Sequence, residues 1–242
     1  MSIESMKKNI GIGNLSVVPM RNEASDRAEM VNQLLYGETF DIIERKEKWI
    51  KIQLHHDNYM GWIDNKQYAL KTEFEAHDCI VSNLFQQNHI KKQTYWLPMG
   101  ALVEKKYLQK CTYNLSVLNA AKQFLESPYL WGGRTFMGID CSGLTQVVYR
   151  INGILLNRDA HEQAKQGEAV AFDEARNEDL AFFSNDEKKI KHVGIVFKED
   201  KQLKIIHASG KVRIDTLDEK GIYNATTQQY THQFSHLKRF TT

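Results

Sequence analysis

Long apolar runs are missing from this chain: no window approaches the roughly 18 consecutive apolar residues that a membrane-spanning helix needs. Neither sign of charge dominates, with 32 Lys and Arg against 30 Asp and Glu and a net charge of +2. That leaves no broad basic face, so neither nucleic acid nor a membrane is expected as a partner. Cysteine is scarce. The three present, Cys79, Cys111 and Cys141, are an odd number without a CxxC pair, which argues against a disulfide framework and against a zinc ribbon. Cys79 and Cys111 stand among apolar neighbours and are expected to be buried structural thiols. Internal repeats and low-complexity tracts are also missing. The first residues, "MSIESMKKNIGIGNLSVV", lack the apolar core and small-residue cleavage site of a secretory leader. A cytoplasmic location is expected, or a periplasmic or extracellular one if a leader was removed. What is present is length: 242 residues are enough for one large domain or two to three small ones, each with its own core.

Residues 15–70 read as β structure. "LSVVPM", "FDIIER", "WIKIQL" and "MGWID" are short runs rich in β-branched and aromatic residues, separated by charged or Gly-containing turns. Such spacing points to a small barrel. One interruption, "SDRAEMVNQLLYGE", reads as helical or loop-like. Between residues 71 and 112, "DCIVSNLF" and "TYWLPMGALV" could be two strands, giving a second, reduced barrel or a structured linker.

From about Tyr113 the pattern changes. "NLSVLNAAKQFLES" sets Val117, Leu118, Ala121, Phe124 and Leu125 on one helical face, and Pro128 stops it. A second helix starts at or just after Asp140, with Leu144, Val147, Val148 and Ile151 as its buried stripe and Gly153 as its end. "DAHEQAKQG" is a third, short helical segment. "LAFFS", "HVGIVF", "LKIIHAS", "VRIDTL" and "HLKRF" then follow as antiparallel strands. Helices followed by a run of strands make an α+β domain.

Cys141 falls at the first turn of the second helix, where unpaired N–H groups and the helix dipole favour negative charge. With a histidine nearby, such a position lowers a cysteine pKa into the range of roughly 3.5–7.5. The thiolate is the nucleophile, and the same N–H groups can hold the oxyanion that its attack creates. In "HVGIVFKEDKQLKIIHASG", a hairpin turning around Glu199–Asp200 sets His192 directly opposite His207, with Cβ atoms about 4.5–5.5 Å apart. One imidazole can then serve the thiol while the other orients it. The same three residues could instead form an open Cys-His-His zinc site. No carboxylate or second cysteine stands at familiar ligand spacing, so neither metal nor cofactor is expected.

"YLWGG", "GIDCSGLTQ", "HVGIVF" and "IIHASG", in that order, resemble the signature of the NlpC-type cysteine peptidases, papain-like enzymes that cut bacterial cell-wall peptides. The resemblance implies Cys141 as nucleophile, His192 as general base, His207 as orienting residue and the Tyr129 hydroxyl near the oxyanion. "SDRAEMVNQLLYGE" and "HHDNYMGWID" resemble the bacterial SH3-like domain attached to dipeptidyl-type members of that family. Those enzymes cut between γ-D-glutamate and the diamino acid of peptides with a free N-terminal L-alanine. By that resemblance Glu29, Tyr59 and Asp140, with Ser142 beside them, bind the substrate ammonium, a charge that needs carboxylate partners once buried.

The expected architecture is therefore multidomain. It has an SH3-like β-barrel over residues 1–70, a reduced second one or a linker over 71–112, and an α+β papain-like domain with an antiparallel sheet over 113–242. The expected activity is hydrolysis of the γ-D-glutamyl–diamino acid bond of muropeptides in cell-wall peptide recycling, without an obligate protein partner. A non-catalytic wall-binding module and a thiol acyltransferase are the alternatives. "LNRDAHEQA" departs from the family pattern, with Asn157 where proline is common and Ala160 and His161 where a serine often helps bind substrate.

Overall fold

The computed structural model describes residues 10–70, 79–107 and 115–240. They fall into two compact units, one within Met1–Tyr113 with Trp131–Gly133, the other within Asn114–Leu130 and Arg134–Thr242.

In the first unit, alternation of apolar and polar residues builds an antiparallel barrel sheet. Its strands are β1 (Ile10–Ile12), β2 (Val17–Arg21), β3 (Met30–Leu35), β4 (Thr39–Arg45), β5 (Trp49–Leu54), β6 (Met60–Asp64) and β7 (Ala69–Leu70). They run in the order β3-β2-β6-β5-β4-β1-β7. The four strands expected here are β2, β4, β5 and β6. In β5 every second residue, Ile50, Ile52 and Leu54, is buried and packs with Val18, Met20, Leu34 and Phe40. Each such side chain contributes about 1.5–3 kcal/mol of transfer free energy. The stretch expected to be helical or loop-like instead contains β3, whose Leu35 pairs with Val17 and whose Asn32 pairs with Met20 of β2. Two buried amides, Asn32 and Gln33, interrupt its apolar pattern. Asn32 satisfies its own Oδ1 by accepting the Gln33 N–H at 2.8 Å.

Residues 79–107 carry four short strands rather than two. β8 (Cys79–Ile80) pairs with β11 (Leu102–Val103), and β9 (Phe85–Ile90) pairs with β10 (Gln93–Pro98). They enclose a small core of Cys79, Val81, Ile90, Leu97, Ala101 and Val103, against which Tyr36, Tyr95 and Tyr107 pack. Leu102 N–H donates to the Tyr36 carbonyl at 2.8 Å. The adjoining Gly37 has φ +81°, and a Cβ there would collide with the Leu102 carbonyl, so this close approach requires glycine. Cys79 is disulfide-bonded, which corrects the expectation of a free thiol: an apolar neighbourhood fixes burial and says nothing of pairing. Cys111 lies outside the described residues, as do residues 71–78 and 108–114 of the segment read as a second barrel or linker.

The second unit opens with α1 (Val117–Gln123), where Ser116 caps the N-terminus by accepting the Asn119 N–H at 3.2 Å. A two-strand ribbon follows, β12 (Arg134–Thr135) with β13 (Gly138–Ile139), and leads into α2 (Cys141–Arg150). All ten residues of α2 are buried, beyond the one stripe its periodicity reveals. Gly153, with φ +79°, ends the turn after it. A single turn, α3 (Ala160–Gln163), precedes β14 (Glu168–Val170), β15 (Leu180–Ser184), β16 (Ile190–Glu199), β17 (Gln202–Ser209), β18 (Lys211–Asp218), β19 (Gly221–Asn224) and β20 (Gln229–Arg239). Their order is β14-β20-β15-β16-β17-β18-β19, and β20 also pairs with β19, so the antiparallel sheet closes on itself. Helices followed by an antiparallel sheet are the α+β arrangement expected.

Candidate active site

Asp140 stands in extended conformation at the N-cap of α2 and accepts the Gly143 N–H at 2.6 Å. Cys141 is therefore the first helical residue, as the sequence implies. The loop after α2 is tied back onto the helix. Gln163 donates to the carbonyls of Ser142 (3.0 Å) and Asn157 (2.8 Å) and accepts the Thr145 hydroxyl at 2.7 Å. Gln146 donates to the Leu156 carbonyl at 3.1 Å. These bonds bring Arg158 onto the start of the helix. Its guanidinium grips both oxygens of Asp140, at 3.0 and 2.6 Å, and donates to Ser142 Oγ at 2.9 Å. Arg158 is only 2% exposed and Asp140 4%. Asp140 thus already has a bidentate arginine and a helix cap as partners, and Ser142 shares the same arginine.

The Cys141 sulfur is buried and takes hydrogen bonds from the backbone N–H groups of Val193 and Ser142. Burial, seconded by the Asp140 charge, pushes its thiol up to about 12, against the pull of those N–H groups and of Arg158. The expected lowering is corrected: the helix start favours the thiolate, but desolvation and a neighbouring carboxylate outweigh it. Tyr129 pairs with Ile139 as an isolated bridge, and its N–H donates to the Gly210 carbonyl at 3.0 Å. Burial and the proximity of Cys141 and Asp140 push its phenol up to about 12, so it stays a hydrogen-bond donor at neutral pH.

His192 and His207 come from β16 and β17. Ile195 pairs with Ile206 and Glu199 with Gln202, so the turn is centred on Asp200–Lys201, one residue later than expected. Both turn residues have positive φ, 48° and 64°, the signature of a two-residue type I′ hairpin. His192 is consequently a diagonal neighbour of His207, not the direct one. The shift preserves the face, because side chains alternate with a period of two. It also sets Gly194 opposite His207. A Cβ on Gly194 would lie 2.9 Å from the His207 Cβ and 2.6 Å from the Ile205 Cδ1, so only glycine leaves room there. Across it, His192 Nε2 meets His207 Nδ1 at 2.8 Å.

Three residues that the sequence reading passed over complete the surroundings. Asp215 of β18 accepts from His207 Nε2 at 3.0 Å, and Arg213 grips the same carboxylate at 2.7 and 2.8 Å. Burial alone would raise Asp215, but the hydrogen bonds from His207 and Arg213 hold it below the usual carboxylate range. His232 of β20 stacks on His192, with ring centroids 4.1 Å apart and planes 24° apart. Burial, then His207 and His232, keep His192 well below the ordinary histidine value. Burial and His207 lower His232 to about 4. Nitrogens of His192, His207 and His232 all lie within 4.8 Å of one another, so among the described residues these three, and not Cys141 with two histidines, are the set that could hold a metal ion. An ion there would have to break the His192–His207 bond.

Glu29 and Tyr59 belong to the first unit. Glu29 is exposed just before β3 and accepts from Asn22 Nδ2 at 3.4 Å. Tyr59 precedes β6, packs on the barrel core and donates its N–H to Asp57 Oδ1 at 3.0 Å. Ala160 is buried at the start of α3, and the exposed His161 pairs with Glu162 at 3.0 Å. Asn157 acts through its backbone, its N–H donating to Gln166 Oε1 at 2.8 Å.

Residues 126–231 match the NlpC/P60 family, and residues 20–67 match the bacterial dipeptidyl-peptidase SH3 domain. A gamma-D-glutamyl-L-lysine dipeptidyl-peptidase of Bacillus cereus is 25% identical over 244 residues, covering 80% of this chain and 72% of the relative. A protein of the same name from Bacillus subtilis is 27% identical over 227 residues, covering 77% of this chain and 76% of its own. Among solved structures, an NlpC/P60 family protein from Bacillus cereus shares the fold, with a TM-score of 0.76 at 19% identity, covering 95% of this chain and 99% of that one. The chain therefore carries an NlpC/P60 domain behind a bacterial dipeptidyl-peptidase SH3 domain, the composition of a cysteine peptidase.

Proposed function

We propose that this cysteine peptidase hydrolyses the γ-D-glutamyl–diamino acid bond of cell-wall peptides with a free N-terminal L-alanine. The observation that carries the reading is a buried thiol at a helix start, bonded to the backbone of Val193 next to His192, together with the His192–His207 hydrogen bond, in a chain that also matches the dipeptidyl-peptidase SH3 domain. With Cys141 neutral at rest, His192 takes the thiol proton as the sulfur attacks the γ-glutamyl carbonyl. The N–H groups at the start of α2 and the protonated Tyr129 hydroxyl are donors suited to the developing oxyanion. Collapse of the tetrahedral adduct breaks the C–N bond, and His192 returns the proton to the leaving amine. Water, deprotonated by His192, then cleaves the thioester. His207 orients the imidazole throughout.

Glu29, Tyr59, Asp140 and Ser142 are proposed to receive the substrate ammonium. Arg158 offsets much of the Asp140 charge, which shifts the weight of that role toward Glu29. The proposed setting is turnover of released wall peptides. The expectation of a cytoplasmic location competes with the disulfide at Cys79, which favours an oxidising compartment. The test is incubation with L-Ala-γ-D-Glu-L-Lys, the meso-diaminopimelate analogue and their N-acetylated forms, with products identified by mass. Release of the L-Ala-γ-D-Glu dipeptide from free-amine substrates, strongly reduced on acetylation and lost in Cys141→Ala, is expected. Equal kcat/KM for free and acetylated peptides would overturn the ammonium assignment.

A further inference from the structure

Behind the imidazole of His192 runs a line of buried polar atoms that the mechanism above uses only as far as His207. His192 Nε2 lies 2.8 Å from His207 Nδ1, and His207 Nε2 lies 3.0 Å from Asp215 Oδ2. Arg213 closes the line, with its Nε 2.7 Å from Oδ2 and its Nη2 2.8 Å from Oδ1 of Asp215. His192, His207 and Asp215 are 6%, 1% and 7% exposed, so water does not compete freely for these positions.

The direction of each bond follows from what the groups can do. An ionised carboxylate only accepts, so its contact with His207 Nε2 requires the proton on that nitrogen. A neutral imidazole protonated at Nε2 presents a lone pair at Nδ1. The 2.8 Å contact can then be made only by His192 donating from its own Nε2. That leaves His192 Nδ1 unprotonated, the state a base needs. If Asp215 were absent or neutral, His207 could carry its proton on Nδ1 and donate to His192 instead. His192 would then hold its proton on Nδ1 and could accept none there.

We infer that Asp215, clamped by Arg213, is a positioning residue that sets the tautomer of His207 and, through it, that of His192. The inference rests on the peptidase reading of Cys141 and His192, and it adds a residue two hydrogen bonds removed from the His192 imidazole. The geometry that allows it is a repeated diagonal. Ile205 is the direct partner of Asp215 and Arg213 that of His207, so Asp215 reaches His207 across one strand spacing, as His207 reaches His192. The charged and titratable groups around Asp215 are His207 on β17, Arg213 on β18 itself and His232 on β20. Of these only Arg213 is permanently charged, and it favours the ionised acid.

The experiment compares Asp215→Asn with Asp215→Glu in the full chain, using histidine side-chain ¹⁵N spectra and steady-state kinetics. In the native protein His192 and His207 are expected to show a protonated Nε2 and an unprotonated Nδ1. Asp215→Asn replaces an obligate acceptor by a group that can also donate. It should mix or invert these tautomers and lower kcat by about 100-fold with little change in KM, less than the roughly 10⁴-fold of a directly bonded aspartate. Asp215→Glu, which restores the acceptor, should recover part of kcat. A native spectrum with the proton on His192 Nδ1 would overturn the inference, as would an Asp215→Asn protein with native tautomers and native kcat. Should the native chain hydrolyse no wall peptide, the peptidase reading fails, while the spectra still decide the tautomers.

Discussion

Arg158→Met tests whether the start of α2 is built around a buried ion pair. The methionine keeps most of the side-chain volume and removes the charge, leaving Asp140 buried at 4% exposure without its bidentate arginine. Breaking one half of a buried pair costs about 3–5 kcal/mol. The Gly143 N–H and the helix dipole still serve the carboxylate and return about 0.5–1 kcal/mol, so a loss of about 3 kcal/mol is expected. Asp140→Asn keeps a competent N-cap but takes the carboxylate away from buried Arg158, and should cost about as much. The double variant removes both charges and should lose only about 1–3 kcal/mol where additivity would give about 6, a coupling energy of about 3–5 kcal/mol. Urea unfolding with a common m-value measures all four proteins. A double variant whose loss equals the sum of the singles within about 0.5 kcal/mol would refute the pair as the organiser of this helix start.

Two further expectations follow from the buried titratable groups. With Cys141 held at about 12, its alkylation by iodoacetamide should rise about tenfold per pH unit from about pH 6 to 9. An acid plateau of fast labelling would show a preformed thiolate instead. His232 is lowered from 6.5 to about 4 by burial, so the unfolded chain binds its proton first and stability falls as pH drops through that window. Allowing for its partly exposed ring, the loss at about pH 5 is about 1 kcal/mol. His232→Phe should flatten the urea midpoint between pH 7 and 5 relative to the native chain, and parallel pH profiles would contradict this.

How far the fold could be read depended on how far burial follows polarity. β5 reads directly, because Ile50, Ile52 and Leu54 alternate with polar residues. β3 does not, because the consecutive residues Asn32 and Gln33 are polar and yet both buried, which breaks the alternation of apolar and polar residues. In β20, "QYTHQFSHLKR" has few apolar residues and most of it is exposed or half-buried, so only its end reads as a strand. The buried thiol expected at Cys79 failed for another reason: pairing depends on what the topology brings near, which neighbours in sequence do not encode.

The site divides the same way. Cys141 and the two histidines were visible because helix capping and hairpin parity are local rules, and parity survives an error of one residue in the turn. Arg158 and Asp215 were not, since each acts across the chain, Arg158 on Asp140 and Asp215 on His207. Even so, "VRID" held a usable signal: Arg213 and Asp215 are two apart, hence on one face, and Arg213 is the direct partner of His207. Arg158 and Asp215 each belong to a pair of the same kind. At either end of the line from α2 to β18, an aspartate is buried with an arginine on both its oxygens. A lone buried carboxylate would tend to take up a proton and become a donor. Arg213 and His207 hold Asp215 below the usual carboxylate range and so keep it an acceptor for the histidine behind the base, while Arg158 sits on both oxygens of the aspartate that caps the helix carrying the thiol.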